Sequence, residues 1–67
     1  MAVGFIKEIS STKGYGFITD ESTGMLVRFN VSEITEDLDI EEKICFIVID
    51  LDPGKMAINL KNVRSYI

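Results

Sequence analysis

Histidine and tryptophan are absent from these 67 residues, and cysteine and proline occur once each. Each absence removes a class of function. A lone Cys45 cannot close an intrachain disulfide, and without histidine a structural zinc site lacks its usual ligands. Ser-His-Asp and Cys-His nucleophile systems are excluded for the same reason. No apolar run approaches the roughly 20 residues that span a bilayer as a helix. The longest, Ile44 to Ile49, has six. No basic, apolar, cleavable N-terminus points to secretion, so a cytoplasmic location and no membrane partner are expected. The acids Glu41 and Glu42 are adjacent in a polar stretch with no nucleophile or proton-transfer partner in view. Catalysis, a metal and a cofactor are therefore not expected.

What is present describes one small domain over residues 1–67. Apolar residues make up 46% and charged residues 27%, the balance of a chain that folds rather than one that stays disordered. At this length only about 60% of the unfolded surface can be buried, which limits the fold to one core. The net charge of −4 argues against a phosphate-binding surface, but its distribution weakens that argument. Residues 33–42 hold Glu33, Glu36, Asp37, Asp39, Glu41 and Glu42 and no cation. The other five acids face all seven cations, a net +2 outside this stretch. The acidic stretch reads first as a solvated loop, and second as a repulsive lobe that keeps a nucleic-acid strand off one side.

Turn signals cut the chain at short intervals: Lys13-Gly14, Asp20 to Gly24, and Asp52-Pro53-Gly54. Between them lie five segments rich in β-branched and aromatic residues, at about 3–10, 14–19, 25–31, 44–51 and 55–63. Short strands at this spacing predict a small barrel or sandwich. The connection after the third segment has room for one helical turn capped by Ser32 or Thr35. Alternation then assigns faces. Val27, Phe29 and Val31 oppose Arg28 and Asn30. Met56, Ile58 and Leu60 oppose Lys55, Ala57, Asn59 and Lys61. Tyr15 and Phe17 share one face, while Gly14, Gly16 and Ile18 share the other, nearly bare one, which invites a bend or close backbone packing. In the fourth segment both faces are apolar: Ile44, Phe46 and Val48 are expected inward, and Cys45, Ile47 and Ile49 outward. That outward set needs a cover, either from the C-terminal Val63 to Ile67 or from a partner, including a second copy of the chain.

Lys13-Gly14-Tyr15-Gly16-Phe17-Ile18-Thr19 carries the chemistry. It is a strand with two rings on one face beside a cation. Single-stranded bases stack on such rings at about 1–3 kcal/mol each, and the lysine can meet phosphate. The bland alternative is a glycine-rich hairpin with core aromatics.

This stretch resembles the first nucleic-acid motif, K-G-Y/F-G-F-I, of the cold-shock protein family. Gly4-Phe5-Ile6-Lys7 is similar to the family's opening G-x-V-K, and Val27 to Ile34 to its second motif, V-F-V-H-F-S-x-I. Lys43-Ile44-Cys45-Phe46 resembles its fourth strand, and Ala57-Ile58-Asn59-Leu60 its closing A-x-N-V. The resemblance implies an all-β, five-stranded antiparallel OB-type barrel and a weak, largely sequence-tolerant binder of single-stranded RNA or DNA. An RNA chaperone or a regulator of transcription or translation would follow. Departures are concentrated on the binding face. Glu8-Ile9 replaces W-F, Arg28 and Asn30 replace the outward Phe and His, and acids fill the loop that carries an aromatic in the family. The nucleic-acid-binding residues expected here are Lys7, Lys13, Tyr15, Phe17, Arg28, Asn30 and Lys55. The alternative is a protein-interaction module on the same fold, self-associating through Cys45, Ile47 and Ile49.

Overall fold

The computed structural model describes residues 1–51 and 54–63. Five strands form: β1 (Ala2–Ser10), β2 (Tyr15–Asp20), β3 (Leu26–Asn30), β4 (Lys43–Asp50) and β5 (Lys55–Asn62). They close into an all-β, OB-type barrel in the order β1-β2-β3-β5-β4. Four pairings are antiparallel; β3 and β5 run parallel, with Arg28 beside Met56 and Phe29 beside Ala57. A wholly antiparallel closure was expected from the resemblance, but a closed ring of five strands cannot alternate direction all the way round. One pair must be parallel, and here it is β3 with β5.

The core is built from the inward positions of every strand. Ile6, Ile18, Phe29, Ile44, Phe46 and Leu60 are fully buried, with Val27 and Ala57 beside them. Each large apolar side chain contributes about 1.5–3 kcal/mol by leaving water. The inward set expected for β4 is present: Ile44 and Phe46 are in the core and Val48 packs against it. The acidic connection adds Leu38 to this core.

Two bulges depart from simple alternation. In β1, Ile6 faces Ile18 but Glu8 faces Phe17, so Lys7 is the extra residue. Both Lys7 and Glu8 are exposed, between inward Ile6 and inward-registered Ile9. In β5, Ile58 faces Ile47 while Lys61 faces Cys45, which leaves one extra residue on β5. Asn59 takes φ +53° within that interval. Leu60 therefore turns inward with Ala57, whereas alternation had grouped it with Met56 and Ile58. Asparagine is among the few side chains that tolerate this backbone region.

The connection from β3 to β4 begins with one 3₁₀ turn over Val31–Glu33. Its N-cap is Asn30, with no side-chain cap bond, so neither Ser32 nor Thr35 caps it. Nor is the acidic stretch merely a solvated loop. The Asn59 N–H donates to Glu33 Oε1 at 2.9 Å and the Asn62 N–H to Glu36 Oε1 at 2.5 Å. The Asn62 side-chain amide donates to Glu42. These carboxylates supply acceptors to β5 beyond Ala57, where its register with β3 ends. A charged acceptor makes such bonds stronger than a neutral one.

The β2–β3 turn contains Asp20, whose Oδ1 accepts from the Ser22 hydroxyl at 2.8 Å and the Ser22 N–H at 2.9 Å. These two bonds, the hydroxyl first, hold the Asp20 carboxyl below its ordinary 3.8, against the opposing pull of burial. A depressed folded-state value gives stability that is complete above the ordinary carboxylate range and is lost as pH falls through the folded value. Asp20→Asn keeps an acceptor oxygen and removes only the charge. It is expected to lower Tm at neutral pH, with the difference from the parent vanishing in acid below the folded value. Thermal melts across pH check this; a pH-independent difference assigns the loss to geometry instead.

Of the Asp52-Pro53-Gly54 turn, the first two residues lie outside the described set. The flanking Leu51 N–H donates to the Gly54 carbonyl at 2.7 Å, and Gly54 has φ +90°. Arg64 to Ile67, expected as one possible cover for β4, also lie outside it.

Candidate nucleic-acid interface

The outer face of β1, β2 and β3 carries three transverse rows set by strand register. Ser10, Tyr15 and Asn30 form the first, with direct pairings across both strand boundaries. Glu8, Phe17 and Arg28 form the second, which continues to Met56 and Ile49 across β5 and β4. Phe5, Thr19 and Leu26 form the third. Directly opposite residues share a face and stand about 4.5–5.5 Å apart at Cβ. The rows thus bring Tyr15, Phe17, Arg28 and Asn30 together, as their alternation predicts.

Tyr15 and Phe17 are half-buried neighbours. Their rings meet edge-to-face, with centroids 5.8 Å apart and planes at 82°. The Arg28 guanidinium lies 4.2 Å from the Tyr15 ring centroid. This cation–π contact fixes Arg28 and occupies one face of Tyr15, so Tyr15 is not a simple open platform. Asn30 reaches the Met56 sulfur at 3.9 Å, a weak contact that leaves its remaining hydrogen-bonding capacity to a ligand.

The cations divide by position. Lys7 stands out from the β1 bulge beside Glu8. Lys13 is exposed in the turn before β2, where the Gly14 carbonyl accepts from Val31 N–H and ties the turn to the end of β3. Two ion pairs form among the described residues, Lys43 with Glu21 and Lys55 with Asp50. Lys7, Glu8, Lys13 and Arg28 are in neither. Lys55 pairs with Asp50 at 3.9 Å and, with Asp20, Val27, Val48 and Leu26 of the third row, lines a cavity of about 610 Å³.

Alternation missed one aromatic on this surface. Phe5 is 39% exposed and lies on the same outer face, opposite Thr19. The signal was available, since Gly4 and Ile6 on either side point inward.

On β4, the outward trio is less open than its composition suggests. Cys45 is buried and its thiol lies 3.4 Å from the Lys61 carbonyl; Ile49 is half-buried, and Ile47 is 40% exposed.

No protein-family model matches the chain, and no curated protein matches it.

Proposed function

We propose that this barrel binds single-stranded RNA or DNA weakly and with broad sequence tolerance, by stacking on the outer aromatics and by phosphate contacts from Lys7, Lys13 and Arg28. The observation that carries this is the Tyr15–Phe17–Arg28 cluster, held on an outer sheet face with cations at its edges. The cold-shock resemblance of residues 13–18 adds weight, and a role as RNA chaperone or regulator in the cytoplasm belongs to the same proposal. The self-association reading is less well supported, because Cys45 is buried and only Ile47 of the trio is exposed.

With Tyr15 covered on one face by Arg28, the two rings offer at most about 2–6 kcal/mol before ordering costs, so dissociation constants in the micromolar range or weaker are expected. Fluorescence anisotropy with labelled oligo-dT and oligo-U, at low and moderate salt, tests the proposal. Saturable binding that weakens steeply with salt is the expected result. Neither oligonucleotide binding at low salt overturns it.

A further inference from the structure

We propose that the row Glu8–Phe17–Arg28 is a guanine-preferring subsite, a specificity that rests on the single-strand binding proposed above. Phe17 is flanked across its two strand boundaries by side chains of opposite hydrogen-bonding character. Glu8 as a carboxylate only accepts; Arg28 only donates. Neither is in an ion pair among the described residues. Arg28 is moreover held by the Tyr15 ring, which leaves its in-plane N–H groups available.

A base stacked on Phe17 presents its edges to these two neighbours. Guanine places two adjacent donors, N1–H and N2–H, on its Watson–Crick edge, a match for a carboxylate. Its O6 and N7 form an acceptor pair on the adjoining edge, a match for a guanidinium. Adenine and cytosine put one amino donor beside a ring-nitrogen acceptor, so a carboxylate gains one bond and meets one lone pair. Uracil and thymine flank their single N–H with two carbonyl oxygens, which a carboxylate repels. The β1 bulge completes the arrangement by turning Lys7 out next to Glu8. Phosphate is drawn to Lys7 and pushed from Glu8, so the base edge rather than the backbone meets the carboxylate.

The test compares a uridine-only oligonucleotide with versions carrying one central guanine, adenine, cytosine or hypoxanthine. Affinities are read by anisotropy for the parent, Glu8→Gln and Phe17→Ala proteins, with circular dichroism confirming the fold of each. Guanine is expected to tighten binding by about tenfold over uridine alone, the lower range for a bidentate contact. Hypoxanthine, which lacks the 2-amino donor, is expected to lose most of that gain. Glu8→Gln is expected to bind the uridine-only strand more tightly while losing most of the guanine preference and keeping only the part that Arg28 supplies, a pairing of effects that simple charge removal does not produce. If the parent binds guanine- and uridine-containing strands equally, or if Glu8→Gln keeps the preference in full, the subsite is overturned and single-strand binding stands. If no strand binds, both fall.

Discussion

Gly16→Ala is expected to lower the melting temperature by roughly 4–24 °C, or to prevent folding. A Cβ at Gly16 would lie 2.3 Å from the Glu8 carbonyl oxygen and 2.6 Å from Cζ of Phe29. The first of these is backbone, and the second is a ring in a fully buried side chain. Neither can move aside cheaply, since Glu8 belongs to the bulged segment of β1 paired with β2 and Phe29 fills the core. Overpacking of this kind typically costs about 1–3 kcal/mol and occasionally more. Against roughly 3–10 kcal/mol of total stability for a chain of this length, that loss is severe. Each kilocalorie moves Tm by about 4–8 °C in a domain of this size. Gly14→Ala is the contrast. Gly14 has φ +84° and open space around its Cα, so alanine there costs only the left-handed backbone penalty of about 1–2 kcal/mol. Thermal melts should rank Gly16→Ala as the worse of the two; a Gly16→Ala protein melting within a few degrees of the parent contradicts the close approach.

The same two glycines show what could be read without coordinates. Tyr15 and Phe17 against Gly16 and Ile18 sort correctly by alternation, because β2 has no internal irregularity and its partner β3 is equally regular. Strand four sorts correctly too, despite being apolar on both faces. Gly14 does not, since it precedes β2 and serves a turn rather than a bare strand face. Alternation fails where a strand carries an extra residue. Alternation groups Leu60 with Met56 and Ile58, and the bulge at Asn59 reverses it. Lys7 and Glu8 likewise both face outward because β1 is bulged there. A bulge changes parity without changing composition, so its trace in the sequence is slight: an apolar pair spaced by three, Ala57 and Leu60, around a residue that tolerates positive φ. The acidic connection misleads for another reason. Charge predicts solvation, but β5 has backbone donors without a strand beside them, and Glu33 and Glu36 meet that need. The pairing of Arg28 with the Tyr15 ring is a side-chain matter that no pattern of one strand contains.

Glu8→Trp is expected to tighten binding of single-stranded oligo-dT by roughly 5–150-fold, the equivalent of one added base stack. Glu8 is exposed on the outer face, directly opposite Phe17, so an indole there extends the ring surface without entering the core. Tryptophan is at home on a strand, and a cross-strand aromatic pair adds about 0.2–1 kcal/mol, so the fold should tolerate the change. The substitution also removes an anion from a face that must approach phosphates, which raises the net charge from −4 to −3. Affinity should therefore rise while the preference for guanine over uridine falls, since the acceptor that reads the Watson–Crick edge is gone. The measurement has its own reporter. The chain contains no tryptophan, so indole emission in the variant comes from position 8 alone. Quenching of that emission in step with anisotropy places a base against the ring. An unchanged dissociation constant with no quenching would mean that the nucleic acid lies elsewhere and that the three rows are not its interface. Tighter binding without quenching would assign the gain to charge alone and leave stacking on this face without support.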